Sequence, residues 1–271
     1  MNNEEYSWEM SIWEDLYDDG YVPYEDEEVE VESKGWETPM STEYIRDKDM
    51  DYEVLGLITL FSLRSHNDNY RYLYDKGQNS LTSNMEEMEK MSQNKRRNIK
   101  RAIKKLSECD NDVVAICEDK KGRMYYKISP HACGEGRKGH FVTVNSQMLE
   151  FLINTSNTNV IKTYCAIKIL LWDNKQQCYI KRPLTEKFLL RFIGLSDKSK
   201  KNIQQMSDIL TYLALCGFIE RKECTVVEDV HGEKKVKTTY TYELTTYDEW
   251  YGVKKQLKLG STKLLRSGQN K

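Results

Sequence analysis

The feature that most constrains this chain is an internal repeat of its predicted elements. Both halves run through an apolar helix, a short strand, two further helices and two strands around a turn. An offset of 104 positions places Ile99 on Ile203 and Leu106 on Leu210, so apolar positions of the last helix coincide. A shared order and a shared offset indicate that one folding unit has been duplicated.

The first half has weaker turn and helix-cap signals than the second. The stretch "YEVLGLITLFSLRS" has helical periodicity, and "NYRYLYDKG" predicts a short strand and a turn. Cap residues Thr82 and Ser83 precede an acidic first turn in "SLTSNMEEMEKMS". Then "QNKRRNIKRAIKKLSEC" has apolar residues at helical spacing, and "DVVAICEDKKGRMYYKIS" predicts two strands around "DKKG".

The second half repeats these elements with clearer signals. The stretch "NVIKTYCAIKILLWDN" predicts an apolar helix, and "QCYIKRP" predicts a short strand. Thr185 is the expected N-cap of the helix in "LTEKFLLRFIGLS", and Gly194 allows a tight turn before the next helix. Gly217 ends that helix, and two strands are expected around "HGEKK".

The stretches "FVTVNSQML", "LTEKFLLRFIGLS" and "ILTYLALCGFIERKE" resemble winged-helix DNA-binding proteins. The resemblance is to the tandem kind found in replication initiators and replication-associated proteins of Gram-positive plasmids, phages and integrative elements. It implies an α+β, mainly helical fold with two tandem winged helix-turn-helix domains, over residues 48–136 and 137–250. In the first domain "MSQNK" stands where the second has "GLSDK", so the first turn has no glycine.

Charge divides the chain into an acidic leader and a basic body. Residues 1–50 hold 17 acidic and 3 basic side chains, which leaves 26 acidic and 38 basic for the remainder. We predict a disordered leader over 1–47 and a basic C-terminal tail over 251–271. The surplus of positive charge in the body predicts a polyanionic partner.

The leader carries an apolar stripe at helical spacing. Such a stripe can fold as a helix in a groove of a partner protein, here a host replication or transcription protein. The residues of this predicted partner site are Trp8, Ile12, Trp13 and Leu16. The alternative interpretation is a solvating tail with incidental aromatic residues.

The last helix of the first half is strongly basic and has no acid between Glu89 and Glu108. A solvated helix face normally balances its lysines with acids, so this composition favours contacts with DNA phosphates. The predicted contacts are Lys95, Arg96, Arg97, Lys100, Arg101 and Lys104, with Lys105 beside them.

The corresponding helix of the second half begins with polar residues and becomes apolar afterwards. Amide side chains can pair with an adenine edge, and lysines contact phosphate or guanine. The first turns of such a helix are expected to enter the major groove. The predicted contacts are Lys198, Ser199, Lys201, Asn202 and Gln205, and Gln204 is a neighbour of the same type. A surface helix without a DNA role is the alternative.

Both predicted hairpin tips are basic. Lysines at such tips commonly contact the DNA backbone, although they also serve solubility. The predicted contacts are Lys121 and Arg123 in the first tip, beside Lys120, and Lys234 and Lys235 in the second, beside Lys237.

Several function classes find no support in the sequence. A phosphate-binding glycine loop is missing, and the four histidines are scattered, so we expect neither an enzyme nor a cofactor. His131, Cys133 and His140 lack a fourth zinc ligand, and we interpret their segment as a glycine-rich linker. No signal peptide or membrane span is apparent, which predicts a cytoplasmic protein.

These observations predict sequence-specific binding of double-stranded DNA, with origin recognition in replication initiation of a plasmid, phage or integrative element as the expected role. A transcriptional regulator with the same domains, or an interaction protein that does not bind DNA, are the alternatives. The sequence leaves open whether the chain acts as a monomer or a homodimer.

Overall fold

A computed structural model describes residues 34–48, 50–64, 70–74, 88, 96–108, 114–130, 141–230 and 233–257. Within these ranges the description leaves out the side chains of 63–64, 96–98, 226–230, 233–235, 237–238 and 257. From Gly35 onward these residues belong to one compact unit.

The described residues form a mixed fold of helices and small antiparallel sheets. The helices are α1 (Tyr52–Phe61), α2 (Arg96–Ser107), α3 (Ser146–Thr155), α4 (Thr158–Leu171), α5 (Glu186–Phe192), α6 (Lys200–Leu215) and α7 (Tyr247–Leu257). The strands are β1 (Glu37–Ser41), β2 (Leu63–Arg64), β3 (Arg71–Tyr74), β4 (Val114–Glu118), β5 (Met124–Ile128), β6 (Phe141–Asn145), β7 (Trp172–Asp173), β8 (Cys178–Tyr179), β9 (Arg182–Leu184), β10 (Ile219–Val230) and β11 (Glu233–Leu244).

In the second half, helices α4, α5 and α6 accompany a three-stranded antiparallel sheet. Strands β10 and β11 form a long hairpin, and β9 pairs with β11 so that Leu184 lies opposite Tyr240. The predicted N-cap is confirmed, because the Thr185 hydroxyl accepts a hydrogen bond from the Phe188 amide. Gly194 has a φ of 80° in the turn between α5 and α6, as a tight turn requires.

In the first half, the sheet has the strand order β2-β3-β5-β4. The hairpin strands β4 and β5 flank the predicted turn, and β3 pairs with β5. The neighbours β3-β5-β4 therefore repeat the arrangement β9-β11-β10 of the second half. Each half places its short early strand against the last strand of its hairpin.

Strand β1 connects the start of the described chain to the second half. It pairs antiparallel with β6, and Met40 within it is fully buried. Ile45, in the turn that follows, is also buried. The sequence predicts a leader without structure through residue 47, and the structure differs here because residues 37–47 supply a strand and core side chains. Acidic residues surround the few apolar residues of this segment, so its composition as a whole predicted disorder.

A continuous apolar core joins the helices. Phe218 contacts the rings of Phe151, Tyr164 and Trp250 at centroid distances of 5.2–5.8 Å. Such aromatic pairs contribute about 0.5–1.5 kcal/mol each beyond their burial. Cys165 also lies in this core, as a free thiol. Among the helices in the described ranges, none has the length and apolar character that crossing a membrane demands.

Candidate nucleic-acid interface

Helix α6 has one buried face and one exposed face. Its apolar face, which anchors the helix to the core, consists of Met206, Ile209, Leu210 and Leu213. The residues of the opposite face recur at intervals of three and four positions, and they are exposed along the whole length of the helix. Its residues are Lys201, Gln204, Asp208, Thr211 and Leu215, with Lys200 beside them. The outer face of α6 is therefore polar over its first turns.

Two of the predicted contacts hold the start of α6 in place. Ser199 is the N-cap, and its hydroxyl accepts a hydrogen bond from the Asn202 amide at 3.3 Å. The Asn202 side chain donates from Nδ2 to the carbonyl oxygen of Ser196 at 2.9 Å. Gln205 is half-buried, whereas Lys198 is exposed. Ser199 and Asn202 thus already have partners within the protein.

The exposed amide of this helix belongs to Gln204, whose Nε2 donates to Asp208 at 2.9 Å. Lys200, which sequence reasoning did not select, is exposed next to it. The signal that could have found both is the periodicity of the helix: Ile203, Met206 and Leu210 mark the inner face, and Gln204 lies away from it.

Arg221 connects α6 to the hairpin and to α5. Its guanidinium carbon lies 3.8 Å from the ring centroid of Tyr240 on β11. Nη1 donates to the Thr211 hydroxyl at 3.4 Å, and Nη2 lies 3.6 Å from Glu186 at the start of α5. A cation stacked on a ring and paired with a carboxylate fixes the hairpin against the helix. Sequence reasoning missed this residue, because its partners come from three separate elements.

Helix α2 follows the same plan as α6 with a more basic surface. Ile99, Ile103 and Leu106 are buried. Lys100, Arg101 and Lys104 are exposed, and Lys104 also lies 3.7 Å from Glu108. Of the other predicted contacts, Lys95 lies outside the described residues, and Arg96 and Arg97 lie in α2 with side chains outside the description.

The tip of the first hairpin is only partly available to a polyanion. Lys121 is exposed, but Arg123 is bound to Asp119 through Nε at 2.8 Å and Nη2 at 2.7 Å. Hydrogen bonds from the backbone and side chain of Arg123 lower the pKa of Asp119, so the carboxylate stays charged. The pair neutralises much of the positive charge that the sequence predicts for Arg123.

The second hairpin is longer, with 12 residues in each strand against 5 in the first. Lys234 and Lys235 lie in β11, and their side chains are outside the description. The backbone register sets Lys234 opposite Asp229 and Lys235 opposite Glu228. Acids therefore lie opposite both predicted lysine contacts.

Other predicted residues lie outside the described part of the chain. These are the partner stripe Trp8, Ile12, Trp13 and Leu16, and the segment with His131, Cys133 and His140. In the residues that are described, no cluster of three or more histidine, cysteine or acidic side chains could hold a metal ion.

The arrangement offers two basic or amide-bearing helix faces, each fixed by a buried apolar side. Lysine side chains can bind phosphates, and an exposed amide can pair with a base edge. No protein-family model matches the sequence, and the curated proteins include none with significant similarity to it.

Proposed function

We propose that this protein binds double-stranded DNA through two winged helix-turn-helix units, with α2 and α6 as its reading helices. The proposal takes support from the order helix, strand, helix, helix, hairpin in the second half and from the matching strand neighbours in both halves. This order of elements is the one that the sequence resemblance implies.

The observation that carries the proposal is the outer face of α6. From Lys198 to Ser207 this segment contains no acidic residue, and Lys198, Lys200, Lys201 and Gln204 are all exposed. The inner face of the same turns is anchored by Ile203 and Met206. A rigid helix start with positive charge and one exposed amide suits the base edges and phosphates of a major groove.

The biological role that fits best is origin recognition in replication initiation of a plasmid, phage or integrative element. This role comes from the resemblance in sequence, and transcriptional regulation would use the same helices. The two roles are distinguished with a plasmid whose only replication origin is a DNA sequence that this protein binds. If the plasmid is maintained only in cells that contain the protein, the result supports initiation. Plasmid maintenance without the protein, together with altered transcription, would contradict it.

DNA binding itself is tested by fluorescence anisotropy with a labelled random duplex at two salt concentrations. Non-specific complexes of this type have dissociation constants of about 10⁻⁴–10⁻⁶ M at physiological salt, and affinity falls steeply as salt rises. We expect the full chain to bind in this range. Lys200→Ala with Lys201→Ala should weaken binding and reduce the salt dependence.

The matched control for that experiment combines Lys175→Ala with Lys255→Ala, which removes two exposed positive charges, one from the turn between β7 and β8 and one from α7. It should leave the affinity for DNA almost unchanged. Equal losses from both double variants would assign the effect to net charge, and no binding by the full chain would refute the proposal.

A further inference from the structure

Strands β1 and β6 pair in a symmetric register. Each residue of β1 has an equivalent 104 positions later in β6, as Glu37 has in Phe141 and Ser41 has in Asn145. In the antiparallel ladder Pro39 lies opposite Thr143, its own equivalent. On either side, Thr38 lies opposite the equivalent of Met40, and Met40 lies opposite the equivalent of Thr38. A ladder in which equivalent residues oppose one another about a central pair is what a local two-fold axis produces.

The same offset extends to the reading helices. Ile99 and Leu106 of α2 map on Ile203 and Leu210 of α6 at 104 positions. The sheet neighbours β3-β5-β4 and β9-β11-β10 correspond in their order, with other offsets.

The equivalent helices α1 and α4 also contact each other. Each helix begins after an N-cap residue, Asp51 for α1 and Asn157 for α4, and the Thr158 hydroxyl of α4 donates to Asp51 Oδ1 at 2.8 Å. Contact between equivalent elements is the expected property of a two-fold interface, here within one chain.

We infer that the two halves are related by a local two-fold axis and that the DNA target therefore consists of two half-sites in inverted orientation. This inference rests on the proposed function. Two helix-turn-helix units related by a two-fold axis meet the two strands of a duplex in opposite directions, so the sequence they read is inverted as well. A direct repeat of the half-sites would present one of them backwards.

The two half-sites differ in sequence, because the equivalent positions of the reading helices differ. Lys100 of α2 stands at the position of Gln204 in α6, and Lys104 stands at the position of Asp208. All four side chains are exposed. A lysine selects guanine or phosphate, whereas glutamine selects adenine, so the α2 half-site is read with more charge and less base discrimination.

The orientation is tested by selecting bound duplexes from a random library with the full chain. We expect a consensus with two half-sites in inverted orientation. Duplexes of equal length then carry the selected half-sites as an inverted pair, a direct pair or a single copy. The inverted pair should bind at least about tenfold more tightly than either of the others, because each alternative loses the base contacts of one half.

A substitution tests the unequal reading. Lys100→Gln gives α2 the residue found at the equivalent position of α6, and selection with this variant should return two half-sites that are more alike. Lys105→Gln is the control, since it removes an exposed charge from the same helix about 140° away around the axis. It should leave the consensus unchanged.

A direct-repeat or single-site consensus, with DNA binding retained, would overturn the two-fold inference and leave the proposed function standing. A consensus that does not respond to Lys100→Gln would overturn the unequal reading. Failure to bind any duplex would overturn the proposed function and the inference with it.

Discussion

Gly194 lies directly against the backbone of Arg46, so a Cβ atom at Gly194 would come within 2.2 Å of the Arg46 carbonyl oxygen. The glycine also has a positive φ of 80°. The Arg46 guanidinium extends over the ring of Phe192 at 5.4 Å. The turn before α6 is thus fixed by a segment almost 150 residues earlier in the chain.

We expect Gly194→Ala to destabilise the protein by about 3 kcal/mol or more, since a positive φ alone costs a residue with Cβ about 1–2 kcal/mol and the backbone contact adds to it. Chemical denaturation measures the free energy of unfolding.

Two other glycines serve as comparisons. Gly122→Ala, at a φ of 73° with only a Glu118 oxygen 3.3 Å away, should cost about 1 kcal/mol. Gly252→Ala, in α7 with open space, should stabilise by about 0.5–1 kcal/mol. Equal effects at Gly194 and Gly122 would contradict the contact with Arg46.

Asp51 caps α1 and also joins it to α4. Its Oδ1 accepts hydrogen bonds from the Glu53 and Val54 amides and from the Thr158 hydroxyl. Asp51→Ala should lower the free energy of unfolding by about 1–3 kcal/mol, because both the cap and the bond between helices are lost. Thr158→Val should cost about 1 kcal/mol. A double-mutant cycle in which the two losses are additive would contradict the coupling.

The exposed charges of α2 should bind phosphates. Replacing Lys100 and Arg101 with alanine should weaken binding to every duplex and make the slope of log affinity against log salt shallower by about 2, since each lost phosphate contact contributes about 0.9. The measurement is an anisotropy titration over salt. The control removes the same number of exposed charges elsewhere, by combining Lys175→Ala with Lys255→Ala. Unchanged affinity for random duplex in the double variant would exclude this helix from the interface.

The two amides at the start of α6 should behave differently. Gln204→Ala should cost about 1–3 kcal/mol on the preferred site and little on random DNA, because a lost base contact affects one sequence. Asn202→Ala should weaken binding to both and lower the thermal unfolding midpoint, since its amide holds the Ser196 carbonyl. Competition titrations with both duplexes separate the outcomes. A sequence-specific loss in Asn202→Ala without a change in stability would reverse these two assignments.

Cysteine reactivity should follow burial. Desolvation raises the pKa of the Cys165 thiol to about 12 and that of Cys216 to about 11, so at pH 8 both thiols are protonated. Cys178 is exposed. Iodoacetamide labelling with peptide mapping should modify Cys178 in the native protein, and Cys165 and Cys216 only in denaturant. Early modification of Cys165 would show that the core opens easily.

The sequence alone determined the local elements of this protein. The signals for helices α4, α5 and α6 are local, so these helices could be predicted. These signals are helical periodicity, the N-cap at Thr185 and the turn glycine Gly194, each of which needs only a few neighbouring residues. The equivalence of Ile99 with Ile203 was also visible, because a repeat needs no tertiary information. Cys165 and Cys216 lie among apolar residues in the sequence, which indicates burial, and both thiols are buried.

Only the tertiary structure decided which distant segments meet. The pairing of β1 with β6 and the contact between Arg46 and Gly194 join positions 100 or more residues apart, and no local pattern records the partner. The structure also decided the role of Asn202, whose amide is an attractive base reader in sequence but donates to the carbonyl oxygen of Ser196 in the turn before α6. Local periodicity specifies which face of a helix is apolar, whereas the hydrogen-bond partner of a polar side chain depends on the backbone that packing brings beside it.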